Sequence, residues 1–102
     1  MYSNDGKTLI QYAAGKTDTS FKVPETVISI DDYAFLGCTK LTKIIISNNV
    51  VNIGWDVFNG CVNLTIYCAA SGRNAGWDTD WNYCFEHKNG TDYCTVVWSY
   101  TE

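Results

Sequence analysis

The chain has 102 residues, room for one small domain that buries roughly 60 to 65% of its unfolded surface. Its 11 acidic and 7 basic residues leave a net charge of −4, and the basic residues never cluster. Neither a nucleic-acid backbone nor an anionic membrane surface therefore meets a complementary face. Five cysteines stand beside a single histidine, His87, with no C-x-x-C among them, so the usual zinc and thioredoxin-type signatures are missing.

At the front, "MYSNDGKTLIQYAAGK" is polar and turn-rich and lacks the apolar core of a signal peptide. No later stretch approaches the roughly 18 apolar residues of a membrane-spanning helix. Asp5-Gly6 is a two-residue turn signal between apolar and aromatic arms, so residues 1–22 read as an N-terminal β-hairpin cap. The polar loop "AAGKTDTS" follows, and Phe21 to Val23 read as the next strand.

The next 46 residues repeat themselves, as 23–45 "VPETVISIDDYAFLGCTKLTKII" and 46–68 "ISNNVVNIGWDVFNGCVNLTIYC". A constant step of 23 aligns Val27 with Val50, Ile30 with Ile53, Phe35 with Phe58 and Gly37 with Gly60. The same step aligns Cys38 with Cys61, Leu41 with Leu64 and Thr42 with Thr65. A period in the twenties is that of a leucine-rich repeat, in which each unit supplies a short strand and an irregular or briefly helical return. Leu41, Ile44 and Ile46 have the strand spacing L-x-x-L-x-L, and Val27 with Ile30 and Val50 with Ile53 read as a second extended segment. "DDYAF" and "GWDVF" each place an aromatic anchor after a polar opening suited to one helical turn, which Gly37 and Gly60 close with positive φ. Cys38 and Cys61 then stack as small buried thiols, with a disulfide between neighbouring coils as the alternative.

After the second unit, residues 69–102 read as a C-terminal cap. "AGWDTDWNY" falls where a third unit would begin, yet no V-x-x-I, A-F or G-C follows it. Asn89-Gly90 signals another hairpin, flanked by Cys84 and Cys94, and "CTVVWSY" is rich in strand formers. The fold class expected is α+β: a short leucine-rich-repeat solenoid of two 23-residue units between an N-terminal β-hairpin and a C-terminal Trp-rich β segment.

Pro24, Val27, Ile30, Ala34, Phe35, Gly37, Cys38, Leu41 and Thr42 together resemble the BspA-like leucine-rich repeat unit. The second unit departs from it by placing Ser47 at the proline position and Val57 at the alanine position. The resemblance implies part of a larger secreted or cell-surface protein of bacteria or some protists, engaged in adhesion. It implies a host or cell-surface protein as partner, or a glycan, and carries no catalytic residues and no cofactor. No metal site is expected either, because Asp78 and Asp80 lack the spacing of a Ca²⁺ loop. A monomer without membrane insertion is expected.

With one histidine and no G-x-S-x-G, H-E-x-x-H or phosphate loop, the chain reads as a non-enzyme. The candidate ligand contacts are Trp77, Asp78, Asp80, Trp81, Trp55, Tyr33 and Lys43. Trp77 and Trp81 with Asp78 and Asp80 supply aromatic platforms beside hydrogen-bond acceptors, the chemistry of a sugar site. The same indoles alternatively cover the open end of the repeat core, with the acids in turn hydrogen bonds. Trp55 aligns with Asp32 and Tyr33 opens a turn, which places both aromatics toward solvent, while Lys43 belongs to the strand column with Thr42 and Ile45.

Overall fold

A computed structural model describes residues 1–12 and 17–102; residues 13–16, in the expected polar loop, lie outside the described residues. Among the described residues the strands are β1 (Thr8–Leu9), β2 (Ser20–Lys22), β3 (Ser29–Ile30), β4 (Lys43–Ile46), β5 (Asn52–Ile53), β6 (Thr65–Cys68) and β7 (Thr95–Val97). β4 and β6 alternate half-buried and buried positions, so Ile44, Ile46, Ile66 and Cys68 enter the core while Lys43, Ile45, Thr65 and Tyr67 face outward.

The chain passes alternately between two sheets in which every strand pair is parallel. One sheet has the order β1-β3-β5 and the other β2-β4-β6-β7. Ser20 pairs with Lys43 and Ser29 with Asn52, each a step of 23 residues, while Lys43 pairs with Thr65 after 22. The internal repeat is therefore the register of both sheets.

No helix forms among the described residues, which corrects the α component of the expected α+β class. The reason lies in where the backbone donors go. A helical turn would direct them to carbonyls four residues back. Instead, Tyr33 N–H donates to Trp55 O (3.3 Å), Phe35 N–H to Val57 O (2.9 Å) and Gly37 N–H to Asn59 O (2.8 Å), all on the neighbouring rung. The intervening donors close tight turns, as from Ala34 to Asp31 O and from Leu36 to Tyr33 O. Tyr33 and Asp56, one repeat step apart, both adopt positive φ (61° and 54°), and so interrupt any helical run. Gly37 and Gly60 do hold positive φ, at 73° and 87°.

The stacking extends beyond two units. β1 and β2 form a rung ahead of the first, while the antiparallel Tyr2–Leu9 bridge and the Ser3 N–H to Thr8 O bond (2.9 Å) close the Asp5-Gly6 turn. At the other end, Trp77 bridges in parallel to Ile53, and β7 pairs in parallel with β6. The reading that no third unit starts at "AGWDTDWNY" is thereby corrected. Trp81 packs on Phe58 (6.3 Å, edge-on), Cys84 O accepts from Gly60 N–H (2.9 Å), and His87 contacts Leu64 O (2.7 Å). Trp81 and His87 keep the step of 23 from Phe58 and Leu64 with a changed side chain, and Cys84 keeps it from Cys61 with the same one. The Asn89-Gly90 turn, with Gly90 at φ 89°, closes a small antiparallel excursion bridged by Tyr83 and Tyr93 before β7 begins.

The core runs along the stack in columns. Tyr12, Phe35, Phe58 and Trp81 form an aromatic column with ring separations of 5.1, 5.5 and 6.3 Å. Leu9, Ile30, Ile53 and Trp77 supply the first sheet's column, all at most 2% exposed. Full burial of side chains of this size contributes about 1.5–3 kcal/mol each, which a unit in isolation would forgo.

Candidate functional site

Trp77 and Trp81 are only 2% and 4% exposed. Trp77 donates its indole N–H to Val50 O (3.1 Å), and the two rings pack at 4.8 Å with Trp98 against both. Sugar recognition at a platform needs an open ring face, and these faces are spent on closing the apolar end of the stack. Their neighbours behave differently. Asp78 and Asp80 point to the surface, where they line an open pocket of about 220 Å³ together with Trp55, Asp56 and Tyr83.

The pocket assembles from two successive rungs. Trp55 and Asp56 come from the turn after β5, whereas Asp78, Asp80 and Tyr83 come from the turns stacked beyond it. Trp55 is held by its own N–H, which donates to the Asp32 carboxylate at 2.9 Å, and by an edge-on contact with Tyr33 at 4.9 Å. Both rings remain near half exposure, 50% and 43%. Asp78 Oδ2 accepts the Asp80 N–H (2.9 Å), an Asx turn that fixes the Asp78 carboxylate, and Asp80 Oδ1 accepts the Tyr93 hydroxyl (3.1 Å). That acceptor raises the Tyr93 phenol above its ordinary value, because the hydrogen bond favours the protonated form. The Tyr83 phenol is raised as well, first by burial and then by the charges of Asp92 and Asp56. Among the described residues none of Asp56, Asp78 and Asp80 forms an ion pair; the salt bridge present joins Lys22 to Glu102 (2.7 Å).

Lys43 stands apart from this group. It lies on the outward face of β4, its Nζ over the rings of Tyr67 (5.0 Å) and Tyr100 (5.4 Å), and donates to the Tyr100 hydroxyl (3.3 Å). The expected contacts thus divide into a buried pair, a pocket group and a separate sheet-face lysine. Asp56, Tyr83 and Tyr93 were missed. The available signal was adjacency, since Asp56 follows Trp55 directly and Tyr83 closes "AGWDTDWNY".

A second cluster of chemically capable groups lies inside the core. Donor atoms of Cys84, His87 and Cys94 are within 4.8 Å of one another and all three residues are buried. The histidine's hydrogen bonds show what holds it there. One ring nitrogen, Nε2, faces Leu64 O at 2.7 Å and must carry the proton, and Nδ1 accepts the Asn89 N–H at 3.1 Å. With both ring nitrogens engaged the trio leaves two thiols, both raised by burial, and Cys94 Sγ already donates to Cys61 O at 3.8 Å, so fewer ligands remain than a preformed metal site uses. All five cysteines are buried free thiols. Burial pushes the Cys68 thiol up to about 12, and a hydrogen bond with Cys38 together with burial raises Cys61.

Among the described residues no helix is long and apolar enough to cross a membrane. No curated protein and no solved structure gives a significant match. The profile of the BspA type leucine rich repeat region does match, in six copies over residues 12–90, a span that includes both 23-residue units and continues through Trp77, Trp81 and His87. Repeats of this family are in general non-enzymatic modules for protein interaction. With residues 12–90 covered and the repeat step visible as strand register, this chain belongs to the BspA-type leucine-rich repeat family.

Proposed function

We propose that the chain is a non-catalytic adhesion module, a short capped solenoid within a secreted or cell-surface repeat protein, and that its partner is a protein on a host or neighbouring cell. The observation carrying this reading is the exposed, mutually packed aromatic pair Tyr33 and Trp55 beside a surface pocket. Large half-exposed rings on a rigid support lose little side-chain entropy on contact and dominate binding energy where they meet a partner. Stacked rungs hold those rings on a fixed frame, and their edges are open to a flat protein surface. The outward face of β4 and β6, with Lys43 and Tyr67, offers a further contact surface of mixed polarity.

The test is binding of the purified domain to intact cells, followed by flow cytometry before and after proteolytic shaving of the cells. Protease-sensitive binding that falls several-fold in a Tyr33→Ala/Trp55→Ala variant is the expected result. Binding that survives shaving but is removed by glycosidases would refute a protein partner.

A further inference from the structure

Resting on that reading, we infer that the pocket of Trp55, Asp56, Asp78, Asp80 and Tyr83 receives a cationic side chain of the partner, with arginine as the best fit. Its volume, about 220 Å³, lies below the roughly 300–1,000 Å³ of small-molecule sites, which suits one inserted side chain better than an oligosaccharide. Three acidic residues line it from two rungs, and none has an ion pair among the described residues. An acidic lining without a cation of its own selects a positive occupant over a neutral one by charge complementarity.

The carboxylates also keep acceptor capacity for such a guest. Asp78 and Asp80 each use one oxygen inside the protein, Oδ2 toward the Asp80 N–H and Oδ1 toward the Tyr93 hydroxyl. The remaining oxygen of each stays available, and an ionised carboxylate accepts about four hydrogen bonds in all. The second component is aromatic and independent of the charge. Trp55 is half exposed, and indole is the best ring face for a cation. A guanidinium satisfies both components at once, because it is planar, stacks on rings and donates in a fork to carboxylates. Lysine would supply charge alone.

The experiment is a ¹⁵N-resolved NMR titration of the whole chain with N-acetyl-arginine amide, its neutral isostere N-acetyl-citrulline amide, and a methyl glycoside. The arginine probe should give saturable shifts at the Trp55 indole N–H and at the amides of Asp56, Asp78 and Asp80, with none from citrulline. Binding should weaken about tenfold in Asp78→Asn/Asp80→Asn and about three-fold in Trp55→Ala, and it should weaken as salt is added. Asparagine retains the side-chain acceptor oxygens that shape the loop, and near-ultraviolet circular dichroism of the four tryptophans confirms that each variant is folded. Equal shifts from arginine and citrulline, shifts from the glycoside at the same residues, or unsaturable shifts spread over distant acids such as Asp5 and Glu102 would overturn the assignment. Cell binding that persists in Asp78→Asn/Asp80→Asn would overturn the pocket while leaving the adhesion reading standing. Arginine binding without any cell binding would do the reverse.

Discussion

Gly60→Ala probes the stacking of rungs at a single atom. Gly60 has φ 87°, and a Cβ built there would lie 3.1 Å from Gly37 Cα and 3.3 Å from Gly37 N. The obstacle is backbone, and it is anchored, because Gly37 N–H donates to Asn59 O at 2.8 Å. Gly90 is the matched control: its φ is 89°, and no described atom lies within 4 Å of its added Cβ. Gly90→Ala therefore incurs only the left-handed backbone cost, about 1–2 kcal/mol. Gly60→Ala incurs the same cost and in addition that of forcing two backbones apart, about 1–3 kcal/mol for an overpacked methyl. Urea denaturation followed by tryptophan fluorescence should then place Gly60→Ala lower than Gly90→Ala by about 1–3 kcal/mol at unchanged m. In a domain of this size the melting temperature should differ by roughly 5–20 °C. Equal costs within about 0.5 kcal/mol, or a costlier Gly90→Ala, would refute the argument that successive rungs touch at this glycine pair.

Trp81→Ala removes a buried ring from the aromatic column and should cost about 3–5 kcal/mol by urea denaturation, against about 1 kcal/mol or less for half-exposed Trp55→Ala. Ellman's reagent should find almost no reactive thiol in the native protein at mildly alkaline pH and all five in urea, since every cysteine is buried. The Cys68 thiol is raised by burial from 9.0 to about 12, so its contribution to stability is complete below pH 9 and is lost as pH rises from 9 toward 12. Urea midpoints measured across that window should fall, and fall less steeply in Cys68→Ala. Asp80→Asn should bring the Tyr93 phenol back toward its ordinary value, because the charged acceptor is gone; ultraviolet titration of the phenolate reads this directly, and an unchanged value would contradict the Tyr93–Asp80 contact.

How much could be read in advance depended on whether a position kept its letter. Phe35 and Phe58, Gly37 and Gly60, and Cys38 and Cys61 are identical at a step of 23, and each pair does occupy equivalent positions on neighbouring rungs. The rung built from Trp77, Trp81, Cys84 and His87 was missed, because only Cys84 repeats its predecessor's side chain. Terminal repeats are atypical because they close the open end of the core, so side chains change while their places persist. The expected helical turns failed for a different reason. Local propensity favoured them, but stacked neighbours offered carbonyls at the right spacing to take the same N–H groups, and that preference has no local signature.

The four tryptophans show the division most plainly. Composition and repeat period alone determined a leucine-rich repeat, its step, its glycine turns and the aromatic lining of its core. The repeat alignment set Trp55, 50% exposed, on Asp32 and so toward solvent, but left Trp81, 4% exposed, open between a sugar platform and a lid on the core. Which indole became core and which became surface was decided by its position relative to the rung before it: Trp81 falls on the Phe58 column, and Trp55 falls on Asp32 outside it. The acidic pocket is likewise a product of stacking, since Asp56 and Asp78 are 22 residues apart in the chain and neighbours only because one rung lies on another.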